Sequence, residues 1–267
     1  MTSATQTQKW EDLKTRVWSS IAMACVGLVG IALGGVWFQM LTVFVTAVMV
    51  WELVRMIRTQ SVVQGMILAA MVASVISGLL RPEVGPTYLW ILLIPALAGA
   101  ITMDRERVTF FFFALGIMIA GWGLVTFRDY HGVYWLFWLV LVVVVTDVGG
   151  YFGGKMLGGP KFWPKVSPKK TWSGILTGWV FAGLLGWAFM GGTSATAALI
   201  PVSVALSFAS QMGDIAESAL KRRMGVKDSS TLIPGHGGLF DRFDGLLGAS
   251  LVMLLVELIV DLPKVGL

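Results

Sequence analysis

Between Arg16 and Glu52 the chain runs for 35 positions without a charged residue. As one helix that run would be about 52 Å long at roughly 1.5 Å per residue, far more than a hydrocarbon core of roughly 30 Å. Gly34-Gly35 lies at its centre, so the run reads as a hairpin of two spans. Further uncharged stretches cover 59–80, 84–103, 108–127 and 132–146. The 43-residue run 171–213 also has to fold back, with Gly191-Gly192-Thr193-Ser194 as the natural turn. A last stretch, 245–260, is broken only by Glu257. The expectation is an all-α, polytopic integral membrane protein with about nine transmembrane helices.

Composition agrees with that frame. Apolar residues make up 56% and charged residues only 13%, where a soluble domain carries about 25% charged. This excludes a disordered chain, a disulfide scaffold and an ordinary soluble globule. The single Cys25 sits in an apolar run and can form neither an internal disulfide nor a cysteine metal site. With nine spans and a cytoplasmic N-terminus, 17 of the 20 basic residues fall on the cytoplasmic side, and only Arg81, Arg128 and Lys264 on the other. The apolar run after the N-terminal charges outlasts a signal peptide, so an uncleaved first span is expected. The chain reads as a single domain, 1–267. Spans within 17–127 serve mainly as scaffold, and 132–260 forms a catalytic half whose longest polar segments, 149–170 and 214–244, face the cytoplasm.

Polar chemistry concentrates in 213–244. If the eighth helix continues through this region, Asp214, Ser218, Lys221 and Arg222 recur at i, i+4, i+7 and i+8 and share one stripe. Asp241 and Asp244, three apart, share a face at the start of the ninth. Carboxylates beside a Lys/Arg cluster suit Mg²⁺, which takes hard oxygen ligands together with substrate phosphates. The cations are also what positive-inside placement alone would put after a span. Acids at a membrane boundary are costlier and call for a function or an ion-pair partner.

Here a resemblance becomes specific. Ser218-Ala219-Leu220-Lys221-Arg222, then Lys227-Asp228, Ser230, Ile233-Pro234, His236-Gly237-Gly238-Leu239 and Asp241-Arg242-Phe243-Asp244 resemble the signature of the phosphatidate cytidylyltransferase (CDP-diacylglycerol synthase) family over 27 residues. Asp147, Tyr151 and Gly154, followed by Ser167-Pro168-Lys169-Lys170-Thr171-Trp172, resemble it too. Ser173 departs from the acidic residue or Gln common there, and Gly150 from a small residue such as Ala. The resemblance implies transfer of CMP from CTP to phosphatidic acid, releasing pyrophosphate. It implies Mg²⁺, with a second monovalent or divalent cation as a further candidate, held by Asp214 and Asp241. It assigns catalytic roles to Asp214, Asp241, Lys227 and Asp244. Phosphate contacts fall to Ser218, Lys221, Arg222, Lys227, His236, Arg242, Lys169 and Lys170, with Asp147 and Asp228 as further candidates. A homodimer and a cell-membrane location with a cytoplasmic active site are also expected, and no nucleic-acid partner.

Other residues carry weaker readings. His236 is open between proton donor, phosphate contact and loop-ordering hydrogen bond. His131 is expected to be solvated with Arg128 and Asp129, Glu52 to pair locally with Arg55 or Arg58, and Glu257 to sit in a polar cavity or at a helix contact. The Phe110–Phe113 run reads as a lipid-facing belt. Two rival functions are a CTP-dependent polyprenol or phytol kinase, which needs a base for its alcohol nucleophile, and an ion-coupled transporter. Transporters place their polar sites at mid-membrane, whereas here they gather at one face.

Overall fold

A computed structural model describes residues 3–58, 62–191 and 197–260, with side chains from Leu13 onward. It is almost wholly helical: α1 Ser3–Leu33, α2 Gly35–Ile57, α3 Val62–Leu79, a 3₁₀ segment Pro86–Leu92 leading into α4 Leu93–Thr102, α5 Arg107–His131, α6 Val133–Leu157, α7 Trp172–Met190, α8 Leu199–Met224 and α9 Phe240–Val256. Among the described residues the one sheet is a short antiparallel hairpin of β1 Lys161–Trp163 and β2 Ser167–Thr171. Among the described residues seven helices are long and apolar enough to cross a membrane: α1 from Leu13, α2, α3, α5, α6, α7 and α8. The segment Pro86–Thr102 is a shorter apolar helix, and α9 has 17 residues, about 26 Å of helix.

The hairpin expected at the centre of the first run is present. Gly34 and Gly35 both adopt positive φ, +62° and +48°. A Cβ on Gly34 would land on the Arg128 guanidinium, 1.7 Å from Nη2, so only glycine fits this corner. Helix α7 ends at Met190 and α8 begins at Leu199; of the turn expected at Gly191-Gly192-Thr193-Ser194, all but Gly191 lies outside the described residues, as does Lys264. Helices α6 and α8 outrun their uncharged stretches. α6 continues through Asp147 to Leu157, and α8 continues through Asp214 to Met224. Residues 149–157 and 214–224 are therefore helix rather than loop.

Contacts between connections sort them into two ends. Arg58 pairs with Asp104 at 3.2 Å, Arg223 with Glu106 at 2.8 Å and Lys170 with Asp214 at 2.5 Å. At the opposite end Arg128 donates to the Ile31 carbonyl at 3.1 Å, and His131 Nε2 lies 2.7 Å from Glu257 Oε1. His131 is buried, 6% exposed, which corrects the solvated reading. Its ring packs on Phe127, and Glu257 is its helix-contact partner. The phenylalanine run is corrected as well. Four successive residues point about 100° apart on a helix, so Phe110 is fully buried, its ring filling the space over Gly99, while Phe112 is exposed.

Two apolar cores result. One joins α2, α3, α4 and α5, around Leu53, Val54, Ile76 and Ile117; the other joins α5 to α9 through Trp135, Trp138, Leu206 and Ala249. Helices α8 and α9 approach backbone to backbone. A Cβ on Gly213 would lie 2.2 Å from the Asp244 carbonyl oxygen, and one on Gly248 2.3 Å from that of Ala209. Small residues let apolar helices meet this closely, and here they carry the acids of both helices toward each other. Gly248→Ala is expected to lower stability by about 1–3 kcal/mol, measured as a lower Tm in detergent. An unchanged Tm would mean that the two helices separate freely.

Candidate active site

The α8–α9 contact builds an acidic cluster. Asp214 and Glu217, three apart, share a face of α8, and Asp244 meets them from α9. One ligand oxygen from each lies within 4.8 Å of the others. Asp214 accepts from Ser218 Oγ at 3.2 Å and pairs with Lys170. Asp244 accepts from the Gly245 N–H at 2.7 Å. Glu217 is buried; one oxygen meets Lys221, while Oε1 has no hydrogen-bond partner among the described residues. Asp244 precedes the apolar part of α9 and faces Asp214 across the helix contact. Crowded carboxylates of this kind fit a hard cation: the donors are all oxygen, they converge, and a dication would relieve their repulsion.

Asp241 stands outside this cluster. Its Oδ1 meets Lys221 Nζ at 2.6 Å, and its Oδ2 accepts from Ser229 N–H at 2.8 Å, Ser229 Oγ at 2.9 Å and Gly238 N–H at 2.8 Å. The Lys221 ammonium, the Ser229 hydroxyl and the two backbone donors thus satisfy both oxygens of this carboxylate. Of the two acids that the resemblance points to as ligands, Asp214 joins the acidic cluster, whereas the oxygens of Asp241 fasten the 225–239 loop. Lys221 touches Glu217 and Asp241 at once and so ties cluster to loop.

Glu52 holds the other side of that loop. It is fully buried on α2 and pairs with neither Arg55 nor Arg58, a further correction. Its oxygens accept from Ser230 Oγ at 2.6 Å, Ser229 Oγ at 3.3 Å, Leu239 N–H at 3.0 Å and Phe240 N–H at 2.7 Å. The last two are free N–H groups at the start of α9, where a negative charge is favoured. Nothing local in the sequence signals this, because Glu52 and Ser229 lie 177 positions apart. Glu217 was legible in its three-residue spacing from Asp214, which the stripe through Ser218 passed over.

The basic residues divide. Alternation along β2 turns Lys170 onto Asp214 and leaves Lys169 exposed. Arg222, Lys227 and Asp228 are exposed, and among the described residues Arg222 and Lys227 have no ion-pair partner. Arg242 donates from Nε and Nη2 to the His236 carbonyl, at 3.1 and 2.9 Å. The His236 ring lies between Ser19 Oγ, 2.8 Å from Nδ1, and Ser20 Oγ, 2.9 Å from Nε2, contacts that join its loop to α1. Asp147, on α6, lies within electrostatic reach of Asp214, Lys170 and Arg242. Ser173 donates to the Gly158 carbonyl, a contact that ties the end of α6 to the start of α7.

The model of the cytidylyltransferase family matches residues 14–259, nearly the whole chain. The chain belongs to the cytidylyltransferase family. Its relatives include phosphatidate cytidylyltransferases of Brucella suis, 45% identical over 131 residues, or 48% of each chain, and of Haemophilus influenzae, 37% identical over 59% of this chain and 51% of that one. The chain thus spans about half the length of these curated relatives. The phosphatidate cytidylyltransferase of Bacillus subtilis is 32% identical over 258 residues, 88% of this chain and 94% of its own length. The cytidylyltransferase match takes in α8, α9 and the loop between them, so the acidic cluster and its cations lie within the family region.

Proposed function

We propose that this cytidylyltransferase moves CMP from CTP to phosphatidic acid, giving CDP-diacylglycerol and pyrophosphate. The observation that carries the reading is the convergence of Asp214, Glu217 and Asp244 beside Lys170 and Lys221, at one end of a membrane bundle. The phosphate oxygen of the lipid attacks the α-phosphorus of CTP, and the bond to the β-phosphate oxygen breaks. That nucleophile is already anionic, so no strong base is required. The work is to bring two polyanions together in line and to stabilise the leaving group. Mg²⁺, held by Asp214, Glu217 and Asp244, would neutralise phosphate charge and fix the triphosphate. Lys221, Arg222, Lys227, Lys169 and Lys170 supply the remaining positive charge, with Arg242 toward the lipid.

The topology proposed with it has nine crossings, counting Pro86–Thr102 and α9, with the N-terminus and the site on the cytoplasmic side of the cell membrane. The charge distribution supports this. The catalytic half remains 132–260, with Glu52, Ser19 and Ser20 reaching in from the N-terminal helices; a homodimer is the proposed assembly. The test is incorporation of labelled CTP into chloroform-soluble lipid with and without phosphatidic acid. Label from the cytosine ring must stay with the lipid, and pyrophosphate must appear. Transfer of a single phosphate would instead establish a lipid kinase, and no metal- and CTP-dependent product would leave the transporter reading standing.

A further inference from the structure

Between Asp147 and Asp214 the chain carries five lysines and no acidic residue. Lys169 and Lys170 belong to the site, Lys170 through its pair with Asp214. Lys155, Lys161 and Lys165 stand apart from it: all three are exposed, and none pairs with an acid among the described residues. They are spread over the last turn of α6, the start of β1 and the tip of the β-hairpin. Positive charge with no partner inside the chain attracts an anionic one from outside it.

The side chains among these lysines are apolar and exposed. On α6, Val144, Val148, Phe152 and Met156 recur every four residues, so one exposed stripe continues from the hydrocarbon to the helix end. With 25 residues α6 is about 37 Å long, which carries its last turn or two beyond a hydrocarbon core of roughly 30 Å. There the Lys155 ammonium lies over the Tyr151 ring, 5.6 Å from its centroid. Gly158 and Gly159, both at positive φ, then turn the chain into the hairpin. Phe162 packs edge-on against Trp172, centroids 4.8 Å apart, and fastens one face of β1 to the start of α7. The opposite face of the strand carries Lys161 and Trp163, and Trp163 is half-exposed. A tryptophan between two lysines, beside a lipid-facing stripe, has both the apolar and the cationic half of an element that lies on an anionic membrane surface.

The geometry points to the end of α6 and the β-hairpin as a docking surface for the anionic headgroups of surrounding bilayer lipids, with Trp163, Phe152 and Met156 entering the interface and Lys155, Lys161 and Lys165 meeting the phosphates. The lipid bound here is a neighbour in the leaflet, outside the active site, and not the acceptor of CMP. A nucleotide would use the lysines and leave the apolar side chains in water, whereas a lipid surface takes both. The same hairpin carries Lys170, which is bound to Asp214. Lipid seated on the hairpin therefore steadies the strand that reaches the acidic cluster. The inference shares with the proposed function only the placement of this end at the cytoplasmic surface, and its test requires no turnover.

Quenching by labelled lipids tests it. The full chain, with Cys25→Ala and Pro164→Cys, is labelled with bimane at the hairpin tip and placed in phosphatidylcholine nanodiscs. A small, equal fraction of either phosphatidylglycerol or phosphatidylcholine carries a nitroxide at the same acyl position. At low salt the anionic quencher should be about threefold to tenfold more effective than the zwitterionic one. The ratio should fall to about one at roughly 1 M salt, where charge is screened within about 3 Å. It should fall likewise in Lys155→Gln/Lys161→Gln/Lys165→Gln, whose exposed substitutions leave the Tm at the parental value. Trp163→Ala should lower quenching by both lipids and keep the ratio, because it removes depth and not charge. Equal quenching by the two lipids in the parent, or a ratio unchanged in the triple variant, overturns the assignment. Absence of quenching by either lipid overturns it too, since the hairpin would then stand clear of the bilayer. Loss of the ratio on adding CTP would give these lysines to the nucleotide instead.

Discussion

Asp244→Asn is expected to lower CMP transfer by roughly 10²–10³-fold while leaving the folded protein as stable as the parent, or more so. The two effects separate because of where the carboxylate sits. Asn retains the size and the oxygen that accepts from the Gly245 N–H. It removes one of three carboxylates whose oxygens converge within 4.8 Å and repel one another when no cation lies between them. Without metal, its Tm should therefore hold or rise. Added Mg²⁺ should raise the Tm of the parent, because an ion that binds only the folded state stabilises it, and should raise that of the variant much less. Asp241→Asn is expected to behave in the opposite way. It breaks the pair with Lys221, and its amide would face the N–H groups of Ser229 and Gly238, so the Tm should fall together with activity. Activity within about threefold of the parent for Asp244→Asn, or a matched loss of Tm in both variants, would remove the metal assignment.

That contrast shows what a linear reading can and cannot reach. Uncharged runs locate segments that belong in lipid, because charge is what hydrocarbon excludes. They also locate the Gly34-Gly35 corner, where the run is too long for one crossing. They do not locate helix ends. The hydrogen-bond ladder of α6 passes Asp147 without interruption, and that of α8 carries Asp214, Glu217, Ser218 and Lys221 on one continuous helix. Spacing on a helix was enough to gather Asp214, Ser218 and Lys221, and a second spacing held Glu217. What could not be read were partners set by tertiary packing. His131 meets Glu257 only because α5 and α9 end side by side, and Glu52 meets the 225–239 loop only because α2 packs against the start of α9. Lys169 and Lys170 look equivalent in sequence. The alternation of a strand parts them, and only Lys170 reaches the acids.

Glu52→Ala is expected to be the most destabilising single change near the site. Its carboxylate is fully buried and accepts from two hydroxyls and two backbone N–H groups. The serines can turn to other partners, but the Leu239 and Phe240 N–H groups at the start of α9 cannot. Leaving buried donors unpaired, and removing a charge that favours a helix N-terminus, should cost about 3–5 kcal/mol. Glu52→Gln keeps the volume and one acceptor oxygen, so it should lose less stability, about 2 kcal/mol. Its amide hydrogens would still confront a backbone donor and loosen the 225–239 loop. The loop carries Lys227 and is fastened at its other side by Asp241, which shares Lys221 with Glu217. A slack at Glu52 therefore reaches the acidic cluster through a chain of named contacts. Assayed well below its Tm, Glu52→Gln should lower kcat about tenfold or more, since small misplacements of charged groups are costly to phosphoryl chemistry. It should also speed amide hydrogen exchange in 225–239 relative to α5 and α6. Unchanged exchange in the loop together with parental kcat would make Glu52 no more than a buried hydrogen-bond acceptor. Faster exchange with an unchanged kcat would show that the loop need not be held for the chemistry to run.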